Sequence, residues 1–144
     1  MSDIRIGGDN AEYLLLSVKG RRHPMCSDYD DGNWLDCVAE IAAGDFRGRV
    51  SGVIRAEEIE QFQQDLSRLY EHLKGKAVFE TLEGWINVCI AGDGRGHLEA
   101  RGQLCDNLAA ENTLDFCLHL DQSYLPTALG QMRATLAEYP VVGR

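Results

Sequence analysis

The sequence has no hydrophobic run that could cross a membrane, and its first residues do not predict a secretory leader. A membrane-spanning helix needs about 18 to 20 predominantly apolar residues in succession, and the 144-residue sequence contains no such run. Residues 1–5 lack the basic stretch and the following apolar stretch that are typical of a signal peptide. We therefore expect a cytoplasmic protein.

Closely spaced cysteines and the common catalytic motifs are also absent. The five cysteines are odd in number and no CxxC pair occurs, so their spacing indicates neither a zinc site nor a redox pair. No GxSxG, HExxH or P-loop pattern is present. The sequence therefore predicts no metal and no cofactor, and its scattered free thiols suit a reducing cytosol.

Positive charge is scarce. The 14 basic residues stand against 23 acidic ones, which gives a net charge of -9. Such a protein repels the phosphates of nucleic acid and the surface of an anionic membrane. An acidic field would steer a basic protein partner inward, although acidity also simply keeps a protein soluble. Composition alone leaves these two explanations open.

One stretch has the periodicity of a helix, whereas the segments around it alternate with a period of two. Residues 55–74 repeat apolar side chains at spacings of three and four, which predicts one buried stripe on an amphipathic helix. Lys74 and Gly75 are expected to end it, as a cation and a residue free to adopt positive φ. The stripe consists of Ile59, Phe62, Leu66, Leu69 and Leu73.

Seven segments are expected to form strands, and a second helix ends the pattern. Residues 1–11 are expected to be a loose or edge segment, and residues 19–33 are expected to be a loop. Ser123 is the expected N-cap of the last helix. Gly48 and Gly52 point inward from the third strand, which indicates close approach of a bulky group such as an aromatic ring or the helix. The expected strands are 13–18, 34–43, 46–54, 77–82, 85–91, 97–106 and 112–121.

These patterns predict one α+β domain over residues 1–144. Short hairpin connections favour an antiparallel meander sheet of about seven strands. One helix is inserted mid-chain, at about 55–74, and one C-terminal helix covers about 124–138.

An acidic loop precedes the second expected strand. Asp28, Tyr29, Asp30 and Asp31 come just before Trp34. Carboxylates on a tight turn suggest calcium, but the spacing of an EF-hand fails because poor ligands fall at its first and third positions. A plain turn explains the loop equally well. Recognition of a partner is the third alternative, because aromatic residues are enriched in protein interfaces.

A second group of polar residues lies on the outer face of the last two strands. A histidine paired with a carboxylate can act as a general base, and two imidazoles with two carboxylates can bind a metal. Opposite charges that face each other across strands can equally well just stabilise a solvated sheet. If the loop at 107–111 is simple, the neighbours are Glu99 with His119, Arg101 with Cys117, and Gln103 with Asp115, with His97 and Asp121 close by.

Three short motifs together resemble the WapI-like immunity proteins, a family of small bacterial cytoplasmic proteins. They are Asp-Gly-Asn-Trp-Leu at 31–35, Gly-His-Leu-Glu-Ala at 96–100 and Asp-Gln-Ser-Tyr-Leu at 121–125. The resemblance runs from about Leu14 to Pro140. It implies a protein that neutralises the toxin domain of a contact-dependent toxin, often an RNase, by binding it. The matching residues Gly32, Asn33, Trp34, Gly96, Asp121 and Leu125 could be structural instead.

The resemblance and the acidity together favour a non-enzymatic binding protein with a toxin domain as its partner, either a monomer or a homodimer. Two alternatives remain open: a structural or homo-oligomeric protein, and a small enzyme that uses His97, Glu99 and His119. The candidate partner-binding surface is the acidic loop, with residues of the outer sheet face as second choice. These candidates are Asp28, Tyr29, Asp30, Asp31 and Trp34, then Glu99, Arg101 and His119.

Overall fold

The computed structural model describes residues 1–8, 12–106, 109 and 112–144. It confirms the α+β class but divides the strands between two antiparallel four-stranded sheets, where one meander was expected. Eight strands are present in the described residues instead of about seven. Residues 9–11 and most of the loop expected at 107–111 lie outside the described part of the chain.

The first sheet is a meander in sequence order. It consists of β1 (Ser2–Gly7), β2 (Tyr13–Arg21), β3 (Trp34–Ala43) and β4 (Phe46–Arg55), with the short helix α1 (Tyr29–Gly32) between β2 and β3. The sequence therefore predicted an edge segment near the start correctly but missed that it is a strand. Only two inward side chains of β1, Ile4 and Ile6, are buried, and this short alternation gives a weak signal.

The second sheet repeats this arrangement after the central helix. Its strands are β5 (Lys74–Glu80), β6 (Ile86–Asp93), β7 (His97–Cys105) and β8 (Thr113–Asp121), again paired in sequence order. Each sheet thus forms from neighbouring hairpins. The single meander was a wrong prediction because α2 separates β4 from β5, and these two strands do not pair.

The central helix, α2 (Ala56–His72), packs against β5 and α3. The predicted apolar stripe is buried from Ile59 to Leu69. The helix ends earlier than expected, because Leu73 adopts a left-handed conformation with φ of 58°. The Leu73 carbonyl then accepts a hydrogen bond from Gly94 N at 2.7 Å, so Lys74 and Gly75 begin β5 instead of closing the helix.

The last helix, α3 (Leu125–Glu138), packs against β1 and α2. A single 3-10 turn, Gln122–Tyr124, leads into it. Ser123 is therefore not the cap of α3. Its amide donates a hydrogen bond to Asp121 Oδ1 at 2.8 Å, so the Asp121 side chain links β8 to this turn. Asp121 thus has the structural role that was one of its two expected roles. No helix within the described residues is long and apolar enough to cross a membrane.

The two sheets meet through the inward glycines of β4. A Cβ atom on Gly52 would lie 2.5 Å from Cδ2 and Nε1 of the Trp85 indole, and one on Gly48 would lie 2.8 Å from Leu114 Cδ2. The indole N–H of Trp85 donates to the Val53 carbonyl at 2.8 Å. The expectation of a bulky group against these glycines is therefore confirmed. The buried apolar residues of both sheets and of α2 and α3 form one continuous cluster.

We expect Gly52→Ala to lower the free energy of unfolding by about 2–3 kcal/mol, because the added methyl group would overlap a buried indole ring. Gly20→Ala is the matched control, since nothing lies within 4 Å of a Cβ atom at that position. Its effect should stay within about 0.5 kcal/mol. Urea unfolding of both variants is the measurement, and equal stabilities would contradict the close packing of Trp85 against Gly52.

Candidate functional site

The acidic loop is folded into the short helix α1. The Asp28 side chain caps this helix by accepting a hydrogen bond from the Asp31 amide at 2.8 Å. Tyr29, Asp30 and Asp31 are all exposed, and Trp34, which begins β3, is half-buried. Four of the five predicted loop residues therefore face solvent, while Trp34 packs beneath them.

Arg55 supports the loop from below and was not predicted from sequence. Its side chain is almost fully buried, and its guanidinium donates to the carbonyls of Asp30 at 2.8 Å and Tyr29 at 2.6 Å. The guanidinium also lies over the Trp34 ring at 4.7 Å and donates from Nε to Glu57 Oε2 at 2.5 Å. All three nitrogens of this buried cation are thus hydrogen-bonded, which offsets the cost of burying its charge.

Asn33 fastens the loop to the segment that follows α3. Its fully buried side-chain amide donates to the carbonyls of Tyr29 and Val142, each at 3.0 Å, and its Oδ1 accepts from the Val142 amide at 2.9 Å. A Cβ atom on Gly32 would lie 2.7 Å from Val142 Cγ2. These contacts give Gly32 and Asn33 of the Asp-Gly-Asn-Trp-Leu motif a structural role.

A groove of about 580 Å³ opens beside α1, between the first turns of α2 and strand β5. Five carboxylates and one guanidinium line it, and we call it the acidic groove. Its lining residues are Tyr29, Glu57, Glu58, Glu60, Gln61, Asp65, Val78, Glu80 and Arg144.

The carboxylates of the acidic groove differ in their environments. Burial raises the pKa of Glu58, whose Oε1 accepts from Arg55 N at 2.7 Å and whose Oε2 accepts from Leu82 N at 2.6 Å. The Arg144 guanidinium lowers the pKa of Glu60 by hydrogen bonding to its carboxylate. The groove therefore combines carboxylates that hold the fold with others that face solvent.

The second predicted surface is arranged as the sequence indicated. In the β7–β8 pairing, Glu99 lies opposite His119, Arg101 opposite Cys117 and Gln103 opposite Asp115. The structure pairs Glu99 with Arg101 of its own strand in an exposed ion pair, and it stacks His119 on His97 with ring centroids 5.5 Å apart.

This geometry gives the enzyme alternative little support. Both imidazoles are exposed on an uncovered sheet face, and the ion pair that Glu99 makes is with Arg101. Among the described residues, no group of three or more His, Cys, Asp or Glu side chains is placed to hold a metal ion.

The two predicted surfaces are joined by β5. Val78 and Glu80 line the acidic groove and also a neighbouring depression of about 390 Å³, whose other side is formed by residues including Arg101 and Gln103. Tyr29 and Arg101 thus stand at opposite ends of one surface. Asp28, Asp30, Asp31, Trp34, Glu99 and His119 do not line either depression.

Sequence reasoning missed the acidic groove, although part of its signal was present. Glu57, Gln61 and Asp65 recur every four residues, which places them on one helix face. Glu80 follows the inward Phe79 in the alternation of β5. The missing information was a tertiary contact, because no sequence pattern predicts that Arg144 lies beside Glu60.

Taken together, these features define an acidic α+β protein with an exposed acidic groove that adjoins an uncovered sheet face. The model of the immunity protein WapI-like family matches residues 5–140, nearly the whole chain. The protein belongs to this family, so the resemblance seen in its three motifs is confirmed. No curated protein matches the chain.

We expect Asn33→Ala to lower the free energy of unfolding by about 2–4 kcal/mol, because three hydrogen bonds of a buried amide are lost. Hydrogen exchange at the Val142 amide should become much faster, since its acceptor is removed. Asn87→Ala, on the outer face of β6, is the control and should change both quantities little. Unaltered protection of Val142 in the Asn33 variant would show that the clamp does not hold this segment.

Proposed function

We propose that the protein is an immunity protein that acts in the bacterial cytoplasm by binding the toxic domain of a contact-dependent toxin and covering its functional surface. Family membership supports an immunity role. The proposed action is stoichiometric and non-enzymatic, and it requires neither a metal nor a cofactor.

The observation that carries the proposal is the acidic groove together with the loop beside it. Five carboxylates line the groove, of which Glu57, Asp65 and Glu60 form ion pairs with Arg55, Arg68 and Arg144. The groove stays acidic on balance, in a protein whose net charge is -9. A toxin that cleaves RNA must attract phosphates and therefore has a basic surface. Carboxylates placed against that surface would exclude the nucleic acid and speed association. A nuclease domain is accordingly the partner that we propose.

The proposed contact surface begins at α1 and extends across β5 to the outer sheet face. Asp30 and Asp31 supply exposed charge, and Tyr29 supplies an aromatic contact on a platform fixed by buried hydrogen bonds. Asp28 and Trp34 act mainly by holding that platform. The remaining proposed contacts, at the far end of the surface, are Glu99, Arg101 and His119.

Reversing the charge of the loop should weaken toxin binding. The double variant Asp30→Lys, Asp31→Lys should bind the toxin domain encoded beside its gene at least tenfold more weakly, chiefly through a slower association rate. Surface plasmon resonance at several salt concentrations is the measurement, and the salt dependence of the association rate should decrease in the variant.

The matched control reverses two exposed acids far from the loop. Asp45 lies in the β3–β4 turn, at the opposite end of β4 from Arg55, and Glu71 lies in the last turn of α2. Asp45→Lys, Glu71→Lys has the same net charge as the loop variant but should retain most of the affinity. Equal losses in both variants would mean that net charge, and not the loop, drives binding.

Occlusion also makes a prediction that separates it from catalysis. One equivalent of the protein should suppress the toxin's activity completely, because each molecule covers one toxin domain. Toxin separated from the complex under denaturing conditions and refolded should regain its activity and its original mass. Inhibition by a small fraction of an equivalent, or a toxin with altered mass, would instead indicate an enzyme.

A further inference from the structure

One end of the acidic groove already holds a guanidinium group. Arg144 makes a bidentate ion pair with Glu60, with NH1 to Oε1 at 2.7 Å and NH2 to Oε2 at 2.8 Å. The planar fork of an arginine side chain matches a carboxylate in this way, which a lysine cannot do. The groove therefore has the geometry of a guanidinium site, and its present occupant comes from the same chain.

The position of Arg144 is imposed by the segment that precedes it. Asn33 clamps Val142 through two hydrogen bonds, and Gly143 packs so closely that a Cβ atom there would lie 2.5 Å from the Asp28 carbonyl carbon. Gly143 also has a φ of 79°, which favours glycine. The contacts of Val142 and Gly143 thus fix the position of Arg144 in the groove.

A second carboxylate in the groove has an incompletely satisfied acceptor. Glu57 Oε2 receives the Nε of Arg55, and Glu57 Oε1 is buried without a well-formed hydrogen bond among the described residues. The Tyr29 hydroxyl is the nearby donor, since its interaction with the Glu57 carboxylate raises the pKa of Tyr29. A buried acceptor without a well-formed hydrogen bond is unfavourable. A donor that enters the groove from outside would relieve this cost.

We propose that the acidic groove binds an arginine side chain of the partner, and that Arg144 is an intramolecular competitor which that arginine displaces. This inference rests on the proposed function, because the partner is the basic toxin domain. The Arg144 side chain is 57% exposed and Glu60 is 28% exposed, so the existing pair is a weakly held surface contact. Displacement therefore requires no rearrangement of the core.

Removing the competitor should strengthen toxin binding. Arg144→Gln should bind the toxin domain about three- to tenfold more tightly than the unaltered protein, because Glu60 is then free. Arg133→Gln is the control: it removes the same charge from an exposed position on α3 that does not line the groove. An equal gain in the control would overturn the proposal by assigning the effect to net charge.

The groove can also be tested without the toxin. In the Arg144→Gln variant, titration with N-acetyl-arginine amide should give saturable NMR shift changes at the amides of Tyr29, Glu57 and Glu60. The corresponding lysine amide should bind several-fold more weakly. A further Glu60→Gln change should abolish the shifts, and absence of shifts in the Arg144→Gln variant would overturn the guanidinium site.

The two experiments separate this inference from the proposed function. If the toxin binds but Arg144→Gln and Arg133→Gln have equal affinities, the competitor role is wrong while the immunity role stands. If the arginine amide binds in the groove but the toxin does not bind the protein, the guanidinium site is supported and the proposed partner is overturned.

Discussion

The arrangement of the candidate surface depends on the desolvation of one cation, the guanidinium of Arg55. A buried charge is tolerated only where its hydrogen bonds are satisfied, and here the acceptors come from two different elements. The carbonyls of Tyr29 and Asp30 belong to α1, whereas Glu57 belongs to the first turn of α2. The Trp34 ring of β3 supplies a flat face against the same cation. One side chain thus fixes the relative positions of a short helix, a strand and the central helix.

This arrangement divides the loop residues between two roles. Gly32 and Asn33 point into the protein and connect α1 to the segment around Val142, whereas Asp30 and Asp31 project into solvent. A partner can therefore contact the exposed carboxylates without disturbing the buried amide that positions them. Such preorganisation lowers the entropic cost of association, because the binding loop is already ordered before contact. Gly32 and Asn33 of the Asp-Gly-Asn-Trp-Leu motif thus support the candidate surface, whereas Asp31 of the same motif belongs to it.

The sequence predicted the features that repeat along the chain and missed those that depend on tertiary contacts between separate segments. The stripe from Ile59 to Leu69 follows directly from periodicity, and the β7–β8 register follows from the alternation together with the assumption of a simple loop at 107–111, so both were found. Two sheets were mistaken for one because a period of two says nothing about which strands pair. The end of α2 was misplaced because a hydrogen bond from Gly94 to the Leu73 carbonyl decided it. The acidic groove was missed for the same reason, since Arg144 and Glu60 are 84 positions apart.

The positions of the two tryptophans have an experimental consequence. Trp85 is buried where the two sheets meet, so its fluorescence will respond when that contact opens. Trp34 is half-buried beneath Arg55 and beside the loop, so its emission will respond to changes near the groove. The protein therefore carries two intrinsic optical reporters, one for the integrity of its interior and one for events at its acidic surface. Their signals can be separated by replacing either indole with phenylalanine.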